Sequence, residues 1–281
     1  MIVAKTREET RKAVAEARKA GKSVGLVPTM GALHAGHVSL VKQSVADNGF
    51  TVVSIFVNPT QFGPSEDFTK YPRQLEADAE LCRKAGVDVI FAPAPHEMYP
   101  EDFSTYVEET RLSKGLCGRS RPTHFRGVTT VVMKLLNIVM PDRAYFGQKD
   151  AQQAAVIKRM VRDLDVPVEI VVMPIVREGD GLAMSSRNKY LAGDLQSEAP
   201  ALSRALEEAK RVFAAGERDV AALQSVMKNV IAAAPHAKVD YVEVVDAATL
   251  EPVKKIARTA LVALAVFVGD TRIIDNTVLE P

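Results

Sequence analysis

Two histidines, His34 and His37, stand three residues apart at the end of a segment with the composition of a turn. The segment, residues 28–37, has the sequence Pro-Thr-Met-Gly-Ala-Leu-His-Ala-Gly-His. An apolar run at 24–27 precedes it, and a stretch with helical character begins at Val38. We therefore predict a strand, a glycine-containing turn and the start of a helix. Such a junction directs unpaired backbone N–H groups and the positive end of a helix dipole toward one point, which favours phosphate oxygens.

The residue types of this turn favour a polyphosphate ligand. Gly31 and Gly36 lack a Cβ atom, so a polyphosphate could approach the backbone closely there. His34 and His37 would hold two imidazoles over the same point. Imidazoles can donate hydrogen bonds to oxygens that gain negative charge as a phosphoryl group is attacked. The same H-x-x-H spacing also occurs on ordinary helix surfaces and in half of a metal site, and both alternatives stay open from these residues alone.

A second junction of the same kind lies at residues 143–163. A short strand is predicted for 143–146, and the turn Gly147-Gln148-Lys149-Asp150 leads into a predicted helix at 151–163. The Lys149 ammonium could meet phosphates here, and Asp150 could cap the helix or accept a hydrogen bond from a ribose hydroxyl. A plain N-cap beside a surface lysine explains the segment equally well from its residues alone.

A glycine-bearing loop, residues 174–188, follows the last predicted strand of the first part of the chain. It ends in Ser185, Ser186 and Arg187, which offer two hydroxyls and a guanidinium. Groups of this kind could close over a triphosphate as a lid.

Two polar loops carry further candidates for substrate binding. Residues 58–67 follow the predicted second strand, and ligands bind beyond the carboxyl ends of strands in open α/β sheets. The Gln61 amide there could hydrogen-bond a substrate hydroxyl or carboxylate, or be an ordinary solvated side chain. Residues 119–127 contain three arginines and one histidine, a composition typical of either an anion-binding rim or a soluble loop.

The elements that must position these residues follow from capping residues and hydrophobic pattern. Thr6 with Glu9 forms a capping box that starts the first helix, and Pro141 ends a later one. The first part of the chain is predicted to have helices at 6–19, 38–47, 72–85, 128–139 and 151–163, and strands at 23–27, 50–57, 87–92, 143–146 and 166–173. The later part is predicted to have helices at 195–214 and 220–234, then strands at 239–245 and 259–268.

These patterns predict an α/β protein with two domains. Strands that alternate singly with helices are typical of a Rossmann-like parallel sheet, which we assign to residues 1–175. Adjacent helices followed by adjacent strands predict a smaller α/β domain with an antiparallel sheet at 176–281.

Composition excludes several classes of protein. The 281 residues include 36 Lys plus Arg and 35 Asp plus Glu, so a net charge of +1 provides no general attraction to nucleic acid or an acidic membrane. No apolar run reaches the roughly 18 residues of a membrane helix, and the N-terminal residues lack a signal-peptide core. Cys82 and Cys117 lack metal or redox spacing and are expected to be reduced thiols. We therefore expect a cytoplasmic protein.

The turn at 34–37 resembles the H-I-G-H signature of the nucleotidyl-transferring α/β enzymes, written here His34-Ala35-Gly36-His37. The longer string Pro-Thr-Met-Gly-Ala-Leu-His-x-Gly-His is similar to the pantothenate synthetase family, as are segments around Gln61, Arg121, Lys149 and Ser185. The resemblance spans nearly the whole chain. It implies that ATP, pantoate and β-alanine are substrates, with Mg²⁺ as cofactor, and that pantothenate, AMP and pyrophosphate form through a pantoyl adenylate. It also implies a homodimer.

The resemblance implies roles for particular residues. Those implied to hold ATP are Met30, Gly31, Ala32, Leu33, His34, Ala35, Gly36, His37, Gly147, Gln148, Lys149, Asp150, Val176, Met184, Ser185, Ser186 and Arg187. Among them His37, His34, Lys149 and Arg187 are implied to be catalytic. Gln61, Gln153, Asn58 and Arg121 are implied to bind pantoate or β-alanine, and Asp78 is implied to help hold Mg²⁺. From the residues alone, a lone helical Asp such as Asp78 is more often a solvated surface charge. Ala77 stands where some relatives are expected to have an acidic residue.

Two other functions fit part of the pattern. Another nucleotidyltransferase of the same fold would keep the histidines but would have no reason to keep Gln61 and Gln153. A nucleotide sensor without enzymatic activity would bind ATP and release no pyrophosphate. An aminoacyl-tRNA synthetase is disfavoured by the size and neutral charge of the chain.

Overall fold

The structure, a computed structural model, describes residues 1–64 and 66–281. It has two compact units. The first unit comprises Met1–Arg111, Arg121–Gly147 and Gln153–Pro174, and the second comprises Leu112–Ser120, Gln148–Gln152 and Ile175–Pro281. The sequence predicted a single division into residues 1–175 and 176–281. In the structure the second unit also includes Leu112–Ser120 and Gln148–Gln152.

Strands and helices are numbered along the chain within the described residues. The strands are β1 (Ile2–Ala4), β2 (Val24–Thr29), β3 (Phe50–Ile55), β4 (Val89–Phe91), β5 (Arg143–Gly147), β6 (Glu169–Met173), β7 (Ala237–Asp246), β8 (Ala260–Val268) and β9 (Thr271–Leu279). The helices are α1 (Arg7–Lys19), α2 (Ala35–Asp47), α3 (Leu75–Lys84), α4 (Pro95–Met98), α5 (Cys117–Ser120), α6 (His124–Val139), α7 (Ala151–Asp163), α8 (Asp194–Glu198), α9 (Ala201–Ala214) and α10 (Val220–Ala232). Single 3-10 turns lie at Pro59–Gln61, Gln148–Asp150 and Ser186–Tyr190.

The first unit is built on a six-stranded parallel sheet in the order β1-β4-β3-β2-β5-β6. Its central strand β2 carries Val24, Leu26 and Val27, which are fully buried because helices cover both faces of such a sheet. The order of the strands reverses between β2 and β5, and this switch point is where open α/β sheets bind ligands. The predicted parallel sheet is confirmed, and the turn at 30–37 and Gly147 lie at the carboxyl ends of the two strands that flank the switch point.

The edge strand β1 was not predicted from the sequence. It has only three residues, and Ile2 and Val3 are 55% and 40% exposed, so no buried alternation marks it. Its backbone pairs with β4, where Ile2 lies opposite Val89. Strand pairing therefore forms here in a segment too short to show the periodic pattern on which sequence reasoning depends.

The second unit contains a three-stranded antiparallel sheet, β7-β8-β9, packed against α9 and α10. Leu206 of α9, Leu223 of α10 and Leu264 of β8 are fully buried in its core. The sheet class is confirmed, but β9 was missed because its centre carries Asp275 and Asn276 instead of an apolar run. The helix predicted at 195–214 is divided into α8 and α9 next to Pro200, which has no N–H to continue a helix. Among the described residues, no helix has both the length and the apolar character to cross a membrane.

Candidate active site

The turn after β2 is held by a carboxylate from α3. Gly31 and Ala32 both have positive φ angles, 83° and 52°, and the backbone there turns sharply. The N–H groups of Ala32 and Leu33 donate to the two carboxylate oxygens of Asp78, at 2.9 and 2.8 Å. A Cβ atom at Gly31 would lie only 3.0 Å from the Asp78 carboxylate, so glycine also provides the space for this contact.

The structure corrects the expectation that the N–H groups of this turn are unpaired. The Gly31 N–H donates to Thr29 Oγ1 at 3.2 Å, and the Gly36 N–H donates to His34 Nδ1 at 3.2 Å. With the two N–H groups on Asp78, four backbone donors of the turn are used within the protein. The turn is therefore a preformed scaffold that presents side chains at one end of the sheet.

The two histidines lie at the start of α2. The predicted start of this helix was Val38, but the helix begins at Ala35. The earlier start arises because the His34 side chain caps the helix and the Val38 N–H donates to the His34 carbonyl at 3.0 Å. His37 is in the first helical turn, and the two imidazole centroids are 4.1 Å apart. Both side chains are partly exposed, so this pair can donate to an anionic ligand at the positive end of the helix.

Asn58 orients the amide of Gln61. The Asn58 side chain is 1% exposed, and its Nδ2 donates to Gln61 Oε1 and to the Gly127 carbonyl, both at 3.1 Å. Its Oδ1 accepts hydrogen bonds from the Tyr99 hydroxyl at 2.9 Å and the Thr60 hydroxyl at 3.0 Å. Since the Asn58 amino group faces the carbonyl oxygen of Gln61, the Gln61 amino group must point away from Asn58.

The amino group of Gln61 has only a weak partner in the described structure. Its Nε2 lies 3.0 Å from Met30 Sδ, and a thioether is a weak acceptor. Gln61 is also buried and not the solvated loop amide that the residues alone left possible. A substrate oxygen would satisfy this amino group better than sulfur does.

Gly127 allows α6 to approach the turn that carries Gln61. A Cβ atom at this position would lie 2.3 Å from the Thr60 carbonyl oxygen and 2.6 Å from the Gln61 nitrogen. The helix itself begins at His124, four residues before the predicted Val128.

Arg121 binds a carboxylate of its own unit. Its guanidinium donates to both carboxylate oxygens of Glu66 at 2.5 and 2.6 Å and to the Gln61 carbonyl at 3.3 Å. Burial raises the pKa of Glu66, but the hydrogen bonds and charge of Arg121 outweigh it and hold that pKa below its ordinary value. His124 Nδ1 lies 2.8 Å from the same Gln61 carbonyl. Arg121 and His124 thus fix the backbone of Gln61.

The structure distinguishes Gln153 from its neighbour Gln152. The Gln152 amide accepts from the Cys117 N–H at 3.0 Å and donates to the carbonyls of Leu112 and Gly115 at 2.8 Å. Gln152 is therefore a structural residue of the second unit. Gln153 is partly exposed on α7 and belongs to the first unit, as do Gln61 and the histidines.

Lys149 lies in the 3-10 turn Gln148–Asp150 of the second unit. Part of the side chain stays accessible, but desolvation lowers the pKa of its ammonium, and the nearby positive charge of Arg187 lowers it further. The carboxylates of Asp150 and Asp275 oppose this shift. An ammonium in such surroundings is stabilised by an anionic ligand.

The loop after β6 brings several predicted residues together. The Met184 N–H donates to the Val176 carbonyl at 3.0 Å, which closes the loop. Ser185 caps the 3-10 turn Ser186–Tyr190 by accepting from the Arg187 N–H at 3.3 Å, and Ser186 is buried. The guanidinium of Arg187 is near enough to Lys149 to affect its pKa.

Asp78 does not fit a direct magnesium ligand as it stands. Its side chain is 0% exposed, and both carboxylate oxygens already accept backbone N–H groups. Across residues 1–64 and 66–281, no group of three His, Cys, Asp or Glu side chains is arranged to hold a metal ion. The assignment of Asp78 to Mg²⁺ remains a prediction.

The switch point of the parallel sheet is flanked by the histidine pair at the start of α2 and by the glycine that leads into the turn of Lys149. This arrangement is typical of the nucleotidyl-transferring α/β class. Residues 2–278 match the family described as Pantoate-beta-alanine ligase, and the chain belongs to that family. It is 58% identical over 280 residues to the pantothenate synthetase of Moorella thermoacetica, a match that covers 100% of this chain and 99% of that protein. The family is therefore one of ligases.

Solved structures agree with this family. The pantothenate synthetase of Thermus thermophilus has a TM-score of 0.95 and 45% identity, with 100% of both chains covered. The pantoate-beta-alanine ligase of Francisella tularensis, solved in complex with beta-gamma ATP and beta-alanine, has a TM-score of 0.81 and 34% identity, and the match covers 99% of this chain and 97% of that one.

Proposed function

We propose that this protein joins (R)-pantoate to β-alanine at the expense of ATP, giving pantothenate, AMP and pyrophosphate. The observation that carries the proposal is the preformed turn after β2, which presents His34 and His37 at the switch point of the sheet. Membership in the ligase family supports the choice of substrates. The substrate is the magnesium complex of ATP, in which phosphate and water oxygens supply most ligands of the ion.

The reaction proceeds in two steps. A carboxylate oxygen of pantoate attacks the α-phosphorus of ATP, the bond to the β-phosphate oxygen breaks, and pyrophosphate leaves with that electron pair. The amine of β-alanine then attacks the acyl carbon of the pantoyl adenylate, AMP leaves, and the amine loses a proton. No side chain forms a covalent bond to substrate, so the protein contributes positioning and charge stabilisation.

We assign the charge stabilisation to His34, His37, Lys149 and Arg187. Each donates hydrogen bonds to phosphate oxygens as negative charge develops during adenylation. The backbone and side chains assigned to ATP are those of Met30, Gly31, Ala32, Leu33, Ala35, Gly36, Gly147, Gln148, Asp150, Val176, Met184, Ser185 and Ser186. A Cβ atom at position 147 would meet no atom within 4 Å outside its chain neighbours, so the space next to Gly147 is open to a ligand. In this scheme residues 1–175 bind ATP and pantoate, and residues 176–281 form the lid domain.

Pantoate is assigned to the amides of Gln61 and Gln153. Gln61 presents its amino group to a pantoate oxygen because Asn58 holds its carbonyl oxygen. Asn58 and Arg121 support this pocket through Gln61, since Asn58 bonds its side chain and Arg121 its carbonyl.

Replacing either glutamine should selectively weaken the use of pantoate. Gln61→Ala and Gln153→Ala each leave polar groups of pantoate unpaired. Each should therefore lower kcat/KM for pantoate by an amount that corresponds to about 1 to 3 kcal/mol of activation free energy. The KM for ATP should change much less. Steady-state kinetics with each substrate varied in turn checks this, with Gln43→Ala on the surface of α2 as the matched control. Equal decreases in kcat/KM for ATP and for pantoate would contradict the assignment of these amides to the pantoate pocket.

A coupled assay of AMP release tests the proposed function as a whole. We expect rapid AMP formation only when pantoate, β-alanine and ATP are all present. Pyrophosphate release that needs no pantoate would indicate another nucleotidyltransferase. ATP binding without release of AMP or pyrophosphate under any combination would indicate a nucleotide sensor.

We also propose that the protein is a cytoplasmic homodimer. Near-neutral net charge and two free cysteines agree with the compartment, and the dimer follows from the family resemblance. Sedimentation equilibrium at micromolar concentration, with twice the chain mass as the expected result, tests the dimer.

A further inference from the structure

Strand β9 of the second unit carries two buried polar residues in succession, Asp275 and Asn276, which are 3% and 4% exposed. Buried polar side chains need hydrogen-bond partners, and the partners of these two explain why they are present. Asn276 bonds the 3-10 turn Gln148–Asp150, and Asp275 bonds Arg177 in the loop after β6. The family resemblance gave no role to Asp275, Asn276 or Arg177.

Asn276 uses both ends of its amide on the lysine turn. Its Nδ2 donates to the carbonyls of Gln148 and Lys149, both at 2.9 Å, and its Oδ1 accepts from Gln148 Nε2 at 3.0 Å. A single turn of 3-10 helix has few hydrogen bonds of its own, so these three contacts restrain its backbone. The bond to the Lys149 carbonyl fixes the backbone of this residue, and with it the position from which the side chain extends toward its ammonium.

Asp275 holds the other segment in the same way. Its carboxylate accepts a two-pronged contact from the Arg177 guanidinium, at 2.6 and 3.1 Å, and Arg177 also donates to the Gly181 carbonyl at 3.0 Å. The hydrogen bond and charge of Asp275 raise the pKa of the Arg177 guanidinium. Arg177 lies between Val176, which closes the loop with Met184, and the turn at 178–182.

The two contacts are also linked through the strand. The backbone N–H of Asn276 donates to Asp275 Oδ1 at 2.8 Å, so the carboxylate that holds Arg177 is oriented by the residue that holds Lys149. One dipeptide in the sheet therefore ties down both ATP-binding segments proposed for the second unit.

We infer that Asp275 and Asn276 are positioning residues for adenylation: Asn276 fixes the turn of Lys149, and Asp275 acts through Arg177 on the loop that carries Ser185 to Arg187. Neither contacts substrate; each sets the place of a group that does. This inference rests on the proposed function, because it takes Lys149 and Arg187 as ligands of the phosphates.

Asn276→Ala tests the first half. We expect the affinity for a non-hydrolysable ATP analogue, measured by calorimetry, to fall about tenfold, the scale of one to two net hydrogen bonds. The KM for pantoate should stay within about twofold. Asn276→Asp keeps the size and the acceptor for Gln148 but turns a second oxygen toward two carbonyls, so it should bind ATP no better than Asn276→Ala.

The coupling to Lys149 separates positioning from general stability. In a Lys149→Ala background, Asn276→Ala should reduce ATP affinity less than it does in the wild-type chain, because the ammonium that it positions is gone. For the second half, Asp275→Asn and Arg177→Ala should lower kcat to a similar extent, and the double variant should be no worse than either single one. Val278→Ala, an exposed position on the same strand, is the control and should behave as wild type.

Three results would overturn the inference: unchanged ATP affinity in a folded Asn276→Ala variant, full additivity with Lys149→Ala, or full additivity of Asp275→Asn with Arg177→Ala. If Asn276→Ala does not fold by circular dichroism, Asn276→Ser, which keeps one donor, should show an intermediate loss, and unaltered affinity there would also contradict the inference. Wild-type protein that binds ATP but makes no AMP would contradict the ligase function alone. Normal ligase activity with unaltered ATP affinity in these variants would contradict the positioning pair alone.

Discussion

His37→Ala is expected to lower turnover about 10²- to 10³-fold, the scale for losing one preorganised donor to a developing negative charge. His37 lies in the first turn of α2, beside the capping residue His34, so its imidazole is placed at the positive end of the helix dipole. The effect should appear in kcat for AMP formation.

Folding should survive this substitution. The cap of α2 comes from His34 and not from His37, so circular dichroism and melting temperature should stay close to wild type. His96→Ala, which removes an exposed histidine of the same unit, should leave turnover unchanged. A folded His37→Ala variant with nearly normal turnover would exclude the role in charge stabilisation.

Asp78→Asn is expected to damage both stability and activity. The carboxylate is fully buried and accepts two backbone N–H groups, and an amide of the same shape would direct its own N–H at one of them. We expect a loss of about 2 to 4 kcal/mol in the free energy of unfolding, the scale for charged hydrogen bonds that are lost in the interior. Because the turn from Gly31 to Leu33 leads directly into His34, turnover should also fall in the molecules that remain folded.

Glu76→Gln provides the matched control for Asp78→Asn. Glu76 is an exposed acidic residue in the first turn of the same helix, so the charge change is identical while the buried contacts stay intact. Urea denaturation of both variants, followed by kinetics well below the transition, measures the two effects separately. An Asp78→Asn variant as stable as Glu76→Gln would contradict the role assigned to the carboxylate.

Sequence reasoning located the reactive turns because their signals are local. The histidine turn and the lysine turn each combine a strand, a glycine and a helix start within about ten residues, and the structure contains both junctions, although the helix after the histidine turn starts three residues earlier than predicted. The start of α2 was misplaced because Gly36 disfavours helix and a histidine cap is an uncommon signal.

Contacts between distant residues could not be predicted in this way. Asp78 reaches a turn 45 and 46 residues earlier in the chain, and a lone helical Asp gives no sign of such a partner. The link between Asn276 and Lys149 spans 127 residues and lies in a strand whose polar centre concealed it. Such residues become visible only when burial and hydrogen bonds are known.

The most direct test of the central claim is exchange of labelled pyrophosphate into ATP with pantoate present and β-alanine absent. The side chains assigned to adenylation, His34, His37, Lys149 and Arg187, act on ATP and need no amine. The lid loop that we assign to 184–187 should protect the adenylate from water. We therefore expect rapid pantoate-dependent exchange with slow net release of AMP, and slower exchange in Arg187→Ala because a charge partner of pyrophosphate is lost. Exchange that appears only after β-alanine is added would contradict the separate adenylate and require a concerted reaction.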